Sequence, residues 1–359
     1  MVATILGARS RKRRRHLEGL AGDSLIVIDI DHAGWRRFVE GRPERLPFHH
    51  PAWAKVLAEC YGFPAFVLAD RDEAGSVVAG LPVLEVRSIR GKRRWVSLPF
   101  TDICPPLGES TDGNEELAAS SVRDGAPPLE VRAALEHGAR QESGVIHRLA
   151  LDPDAEVLYP RFHKSQVQRN ITRAGKEGVE IHRGLEKRDL TETFYRLHLA
   201  TRRRQGVPVQ PKRFFDLLWT RILEPGLGFV SLAYAGRQAV AAAVFLHWNE
   251  TVVYKYGASD AGALKLRPNH LLFWDVIQWA CRNGYRTLDF GRTDAENEGL
   301  RRFKSGWGAV ESPLVYTTFG GSPNERGGGK ATEALSTIIR SSPDWVCRAA
   351  GELLYKYAA

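Results

Sequence analysis

The fold is decided by one segment, which reads "TVVYKYGASD" at 251–260, "NHLLFWDVIQWACRNG" at 269–284 and "YRTLDFG" at 285–291. Its first and last parts are rich in β-branched and aromatic residues, which predicts strands, and its middle part has the apolar spacing of a helix. Pro268 stands at the start of that helix and Gly284 just past its end, as helix boundaries favour. A helix between two neighbouring strands of one sheet makes those strands parallel, so the segment predicts an α/β unit.

The same order of elements occurs twice along the chain. Each half is predicted to begin with a helix and an antiparallel meander, followed by a second helix and a strand that pairs parallel to the last strand of the meander. The first half reads "HPAWAKVLAECYG" (50–62), "AFVLADRDEAGSVVAGLPVLEVRS" (65–88), "RRWVSLPFTD" (93–102), the helix "LEVRAALEHGAR" (129–140) and the strand "GVIHRLAL" (144–151). The second half opens with "QPKRFFDLLWTRIL" (210–223) and "GFVSLAYAGRQAVAAAVFLHW" (228–248). The sequence therefore predicts an α/β protein of the mixed-sheet (α+β) kind, with two similar domains in tandem.

Composition divides the chain further. The basic stretch "RSRKRRRH" lacks apolar periodicity, which predicts a disordered arm over 1–23, and "GGSPNERGGGK" predicts a glycine-rich linker over 320–330. The two domains are expected at 24–157 and 158–319, and the second is expected to carry the active site. Residues 331–359 are predicted to form helices that break at Pro343. These helices either dock on the body or contact a membrane surface.

Charge and cysteine usage limit the class of protein. The 359 residues include 51 Lys+Arg against 42 Asp+Glu, a net charge of +9 that favours an anionic partner. The four cysteines are far apart and have no metal-ligand spacing, which predicts free thiols in a reducing compartment. The start of the chain lacks the order of a signal peptide, and its apolar runs are too short to span a bilayer, so we expect a cytoplasmic protein. Motifs for nucleotide hydrolysis, dinucleotide binding and zinc proteolysis do not occur.

Four stretches of the second half carry a family resemblance. They read "FHKSQVQRNITRAGKEGVEI", "FYRLHLATRRRQGVPVQP", the segment from "YKYGASD" to "LDFGRTD", and "GLRRFKSGWGA". The order of elements resembles the GNAT acyltransferase fold, and these stretches resemble the Fem family of non-ribosomal peptidyltransferases. The resemblance implies two tandem GNAT-like domains that transfer an amino acid from aminoacyl-tRNA to the amine of a peptidoglycan precursor or a similar peptide-like acceptor.

The identity of the donor stays open at this point. A long heptad arm, which many Fem enzymes use to contact tRNA, is not found in the sequence. The loop that binds the CoA pyrophosphate in GNAT enzymes is also missing, because the place ahead of Asn269 reads "GALKLRPNHLL". Aminoacyl-tRNA is the first expectation and acyl-CoA the alternative, and neither implies a metal or redox cofactor. A second alternative is a non-catalytic protein that binds RNA or an envelope precursor, and DNA is not an expected partner.

The resemblance implies a catalytic role for Lys304, and the position of Asp289 along the chain makes it a second catalytic candidate. Lys304, with Phe303 packing beneath it, is the candidate contact to the tetrahedral oxyanion or to a donor phosphate, although a solvated turn lysine is the plain alternative. Asp289 follows a buried strand and either accepts the proton of the amine, orients Arg292, or caps the following loop. The N-terminal half lacks a counterpart of the Phe-Lys pair, which suggests an acceptor platform or a scaffold.

Further residues are candidates for substrate binding. Tyr254 and Tyr256 alternate with Lys255, so the tyrosines are expected to share one face of the sheet. Residues 161–224 hold 15 Lys+Arg and 7 Asp+Glu, an excess that suits a phosphate-rich ligand such as tRNA or a nucleotide-linked acceptor. The substrate-binding candidates are Lys164, Arg202, Arg203, Tyr256, Asn269, Arg292, Arg302 and Phe303.

Overall fold

A computed structural model describes residues 25–122, 125–323 and 330–359. The predicted arm at 1–23 and most of the predicted linker lie outside the described residues. The chain forms two compact units. Of the described residues, unit 1 holds 25–122, 125–142 and 315–323, and unit 2 holds 143–314 and 330–359. The domain limits at 24–157 and 158–319 stay a prediction of where each repeat begins and ends.

The described residues form strands and helices as follows. The strands are β1 (Leu25–Asp29), β2 (Ala65–Arg71), β3 (Val77–Arg87), β4 (Arg93–Val96), β5 (Leu107–Gly108), β6 (Leu129–Val131), β7 (Ala139–Ala150), β8 (Val179–Gly184), β9 (Gly228–Ala235), β10 (Gln238–Trp248), β11 (Thr251–Ser259), β12 (Thr287–Thr293) and β13 (Val310–Phe319). The α-helices are α1 (Ala33–Glu40), α2 (Pro51–Tyr61), α3 (Thr111–Ser120), α4 (Ala155–Leu158), α5 (Arg169–Lys176), α6 (Tyr195–Gln205), α7 (Lys212–Leu218), α8 (Pro268–Arg282), α9 (Glu298–Ser305), α10 (Lys330–Ser341) and α11 (Asp344–Leu354).

The sheets of the two units have the same strand pattern. In unit 1 the order is β1-β2-β3-β4-β6, followed by the part of β13 from Val315 onward. In unit 2 the order is β8-β9-β10-β11-β12, followed by the part of β7 from Ser143 onward. Within each unit all neighbours are antiparallel except one parallel pair, β4 with β6 and β11 with β12. The mixed α/β class and the repeated order of strands are confirmed. The predicted last strand of the first half is wrong, because 144–151 belongs to β7, which pairs antiparallel with β12 of unit 2, and the strand that runs parallel to the meander of unit 1 is β6.

One predicted helix of the first half is wrong. The stretch Leu129–Arg140 was expected to be helical, but Leu129–Val131 forms β6 and the helix between β4 and β6 is α3. Trp95 lies opposite Leu129 in the parallel pair, and Val131 lies opposite Thr317 of β13. Pairing on both sides of this buried strand outweighs the helix propensity of its leucine and glutamate residues.

Helix α8 anchors the core of unit 2 and packs against β8, β9 and β10. Its inner face is buried and consists of Leu272, Phe273, Val276, Ile277 and Ala280. These side chains belong to one apolar cluster with Phe290 of β12 and Trp307. Burial of apolar surface stabilises this packing of helix and strand by about 25 cal/mol for each Å² removed from water.

The C-terminal helices α10 and α11 break at Pro343, as predicted. Helix α11 packs closely on the rest of unit 2, since a Cβ at Gly351 would lie within 1.8 Å of the carbonyl oxygen of Val209 and only glycine fits there. Asp344 at the start of α11 pairs with Arg203 at 2.7 Å. Within the described ranges, each helix is too short or too polar to cross a bilayer.

A buried histidine in unit 2 makes the stability of the fold sensitive to acid. His198 is 3% exposed, and its Nε2 lies 2.8 Å from Oε1 of Gln210. Burial, helped by the charge of Arg202, lowers the pKa of His198 to about 3. Between this value and the ordinary pKa of about 6.5, the unfolded chain binds a proton that the folded chain does not, so stability falls as pH falls.

We expect the free energy of unfolding to drop by ~2 kcal/mol through His198 alone between about pH 7 and about pH 5. Urea unfolding at both pH values measures this drop, and the His198→Gln variant should show a smaller pH dependence by about the same amount. An unchanged pH dependence in that variant would contradict the role of His198.

Candidate functional site

The strands β11 and β12 part within unit 2. They pair over only three residues each, Thr251–Val253 with Thr287–Asp289, although β11 continues to Ser259 and β12 to Thr293. Beyond Asp289, β12 keeps its antiparallel pairing with β7 through an irregular register. An interrupted parallel pair leaves backbone N–H and C=O groups at the opening, and such groups bind extended ligands.

A bulge in β12 lies where the strands part. The register between β12 and β7 shifts between Asp289 and Arg292, and Gly291 has φ +70°. Asp289 is 3% exposed, and its Oδ1 accepts a hydrogen bond from the Gly291 N–H at 2.7 Å. Its Oδ2 accepts from Nε of Arg148 on β7 at 3.2 Å. The carboxylate thus ties the bulge to the neighbouring strand, and a positive φ there favours glycine.

Lys304 lies at the end of α9 and points into this bulge. Its side chain is buried at 2% exposure, and its Nζ donates to the carbonyl oxygen of Gly291 at 2.7 Å and of Arg292 at 3.2 Å. The alternative of a solvated turn lysine is therefore wrong. A buried ammonium needs such hydrogen bonds, because its desolvation would otherwise cost several kcal/mol.

Further titratable groups, which sequence reasoning missed, lie on the strands next to Lys304. His147 of β7 is fully buried, and its Nε2 lies 3.1 Å from Oε2 of Glu311. Burial lowers the pKa of His147, and the positive charge of Lys304 lowers it further. Arg301 donates two hydrogen bonds to Glu311, at 2.7 and 2.8 Å, and holds the pKa of that carboxyl below its ordinary value. A histidine inside the apolar strand "GVIHRLAL" was the one sequence signal for this group.

Phe303 and Lys304 contact different residues. Its ring contacts the rings of His270, Phe273 and Trp307, with centroids 5.2 to 6.2 Å apart. These contacts belong to the core between α8 and α9. Phe303 therefore fixes the helix that carries Lys304, and these ring contacts lie in the core rather than at the bulge.

The two arginines near the bulge differ in their contacts. Arg292 donates from Nε to the Ser143 carbonyl oxygen at 2.5 Å and from Nη2 to Asp294 at 2.5 Å. Asp289 forms an ion pair with Arg148. Arg302 is exposed on α9 and makes no ion pair within the described part of the chain.

The expectation that Tyr254 and Tyr256 share a face is wrong. A bulge in β11 places Tyr254 opposite Phe245 and Tyr256 opposite Val244, and these two neighbours of β10 point to opposite faces. Tyr254 packs against Phe273 of α8, and burial raises its pKa to about 12. Tyr256 packs on the other face, against His198, Phe214 and Phe215.

The remaining predicted binding residues make contacts elsewhere in unit 2. Asn269 exchanges hydrogen bonds with the Ser259 hydroxyl at 2.9 and 3.1 Å, which joins the end of β11 to the start of α8. Arg202 donates to the Pro208 carbonyl oxygen, and Arg203 pairs with Asp344.

Lys164 lines a separate cavity on the outer face of α5. The structure thus brings together Lys304, Asp289 and Arg292 around the bulge, while the other candidates contact different residues.

Residues 161–305 match the family described as the acetyltransferase (GNAT) domain. Two curated relatives also match parts of the chain. The UDP-N-acetylmuramoylpentapeptide-lysine N(6)-alanyltransferase of Weissella viridescens is 24% identical over 148 residues, which cover 40% of this chain and 42% of that protein. The lipid II:glycine glycyltransferase of Staphylococcus haemolyticus is 24% identical over 174 residues, covering 46% and 38%. The matched stretch spans about two fifths of each relative's length.

Two solved structures have a similar fold. The crystal structure of FemX superposes with a TM-score of 0.62 at 15% identity, over 81% of this chain and 96% of that one. The C-terminal domain of a putative lysylphosphatidylglycerol synthetase from Agrobacterium fabrum gives a TM-score of 0.54 at 11% identity, over 86% and 95%. The predicted resemblance to GNAT and Fem proteins is confirmed, and the predicted fold class with it.

Proposed function

We propose that the chain is an aminoacyltransferase that moves an amino acid from aminoacyl-tRNA to an amine of a peptidoglycan precursor or a similar peptide-like acceptor. The observation that carries the proposal is the buried ammonium of Lys304 at the β12 bulge, where β11 and β12 part. It lies within a stretch that matches the GNAT domain family. The two curated relatives, named as an alanyltransferase and a glycyltransferase, support aminoacyl transfer as the reaction.

The reaction requires the amine nitrogen to attack the ester carbonyl carbon of the donor. A tetrahedral oxyanion forms, the bond to the ribose oxygen breaks, and a proton passes from the amine to that oxygen. In this proposal Lys304 supplies fixed positive charge beside the opening, where a partly dry environment strengthens its effect on the oxyanion. Asp289 holds the bulge in shape through Arg148 and the Gly291 N–H.

A second candidate function is an N-acyltransferase that uses acyl-CoA. The match to the acetyltransferase domain family and the parted strands favour it. The segment ahead of α8 argues against it, because Ala261–Leu266 forms a 3-10 turn and Arg267 takes φ +60° where GNAT enzymes have a glycine-rich pyrophosphate loop. We therefore place it second. The proposed tRNA donor implies a site of action in the cytoplasm.

Donor preference tests the proposal. Purified protein is incubated with a peptidoglycan-precursor amine and either charged tRNA or acetyl-CoA, and the products are identified by mass spectrometry. We expect aminoacylated acceptor from charged tRNA and no product from acetyl-CoA. Product from acetyl-CoA alone would replace the first function with the second. No product from either donor, together with RNA binding, would favour a non-catalytic binding protein.

A further inference from the structure

A basic cavity lies on the outer face of α5 in unit 2. Its volume is about 470 Å³, and it opens along the π-helical turn Lys164–Gln168 and α5. The charged residues that line it are Lys164, Arg169, Arg173, Lys176 and Glu177. We call this the α5 cavity. None of the residues at the β12 bulge lines it.

The cations of the α5 cavity are largely uncompensated. Arg173 lies 3.5 Å from Glu177, which is the one carboxylate in the lining. Lys164, Arg169 and Lys176 are exposed and make no ion pair within the part of the chain that the structure describes. Three of four positive charges are therefore available to an anionic ligand.

The fold does not need these cations for its own stability. Helix α5 is held by its inner face, where Val167 of the preceding turn, Ile171 and Ala174 are buried. Like charges three or four residues apart on a helix destabilise it by a few tenths of a kcal/mol per pair, and Arg169, Arg173 and Lys176 have that spacing. A helix that carries like charges of this kind is expected to bind an anionic ligand, which reduces their repulsion.

The arginines of α6, in contrast, already have partners within unit 2. Arg203 pairs with Asp344, and Arg202 and Arg204 donate to the carbonyl oxygens of Pro208 and Ser259. These three guanidinium groups hold α6 to its neighbours. The available positive charge of the region from Arg161 to Glu224 is thus found at α5 rather than at α6.

We propose that the α5 cavity binds the phosphodiester backbone of an RNA strand. From Lys164 to Lys176 the helix extends ~18 Å, at about 1.5 Å per residue. That length matches several nucleotides, since a strand carries one charge per ~3.4 Å of axis, and exceeds what one diphosphate spans. The inference rests on the proposed function, which supplies tRNA as the donor, and names where its RNA part lies.

Binding of uncharged RNA tests this site without any transfer. Fluorescence anisotropy with labelled tRNA compares the parent chain with the double variant Arg169→Gln/Lys176→Gln. The matched control is Arg196→Gln/Arg237→Gln, which removes two exposed cations from another cavity of unit 2. Thermal unfolding of all three proteins confirms that each is folded.

We expect the α5 variant to bind tRNA at least tenfold more weakly at low salt, and the control to change affinity less than about twofold. The slope of log K against log salt should fall by about 2 in the α5 variant, since two phosphate contacts are lost. If both variants lose tRNA affinity equally, the loss reflects only the change in net charge, and the proposal is overturned. Uridine diphosphate is tested for binding to the parent chain and to the α5 variant in the same way. If the α5 variant loses affinity for uridine diphosphate and keeps its affinity for tRNA, the RNA proposal is overturned in favour of a nucleotide-linked acceptor.

The two proposals fail in different ways. If tRNA binds through α5 and no donor gives product, the transferase function fails and the α5 site stands. If charged tRNA gives product and the α5 variant keeps the parent KM for tRNA, the α5 site fails and the function stands.

Discussion

The Lys304→Ala variant is expected to lose at least tenfold in transfer rate, or roughly 1.4 kcal/mol of transition-state stabilisation. The substitution removes the positive charge beside the proposed oxyanion. It also leaves the carbonyl oxygens of Gly291 and Arg292 without the donor that now bonds them at 2.7 and 3.2 Å. An unpaired buried acceptor costs about 1–3 kcal/mol, so the bulge in β12 should loosen as well.

Steady-state kinetics with charged tRNA measure this effect. A loss confined to kcat places the charge in the transition state, whereas a rise in KM alone would indicate ground-state binding. The Lys304→Met variant keeps most of the side-chain volume and should be equally slow if charge is what matters. Ser305→Ala, at the exposed neighbouring position of α9, serves as the control and should keep the parent rate. Parent-like rates in both Lys304 variants would end the proposed role of this lysine.

The Asp289→Ala variant is expected to have the second large effect, on stability and on transfer together. The change leaves the Gly291 N–H and the Arg148 guanidinium without the carboxylate that bonds them. Breaking a buried pair by removing one partner typically costs about 3–5 kcal/mol, and the half-exposed Arg148 should place this case at or below the lower end.

The Asp289→Asn variant separates a tethering role of this residue from a role as proton acceptor. An asparagine oxygen can still accept from the Gly291 N–H, so a tethering residue should retain most of the transfer rate. A proton acceptor would lose about 10²–10⁴-fold. Urea unfolding and steady-state rates on both variants decide between them, and a stable but inactive Asp289→Asn protein would contradict the tethering role.

The sequence alone predicted the elements that have strong local signals. Helix α8 has Pro268 at its first position and a buried apolar face, and the parallel pairing of β11 with β12 follows from that helix between them. The repeat could be found because both meanders have long apolar strands separated by turn residues. Lys304 was found through the resemblance of its flanking motifs, and Asp289 through its place at the carboxyl end of a predicted buried strand.

The features that the sequence did not predict depend on contacts between residues that are distant along the chain. Strand β6 has only three residues and is fixed by partners on β4 and β13, so its local pattern resembles a helix. The bulge in β11 inserts one residue and moves Tyr254 and Tyr256 to opposite faces, which strict alternation does not reveal. Arg148 and His147 join the site through the pairing of β7 with β12, and their sequence context gives no sign of that neighbour.

The last strand of unit 1 also sets an order of events during synthesis. Thr317 of β13 donates its hydroxyl to the carbonyl oxygen of Ala133, across 184 positions of chain, and its backbone lies opposite Val131. All of unit 2 up to Leu314 leaves the ribosome before that strand does. Until then, the edge of β6 that pairs with β13 in the folded unit 1 lacks its partner strand. Closing so long a loop adds little entropy cost beyond a shorter one, but it makes completion of the first unit one of the later steps in folding.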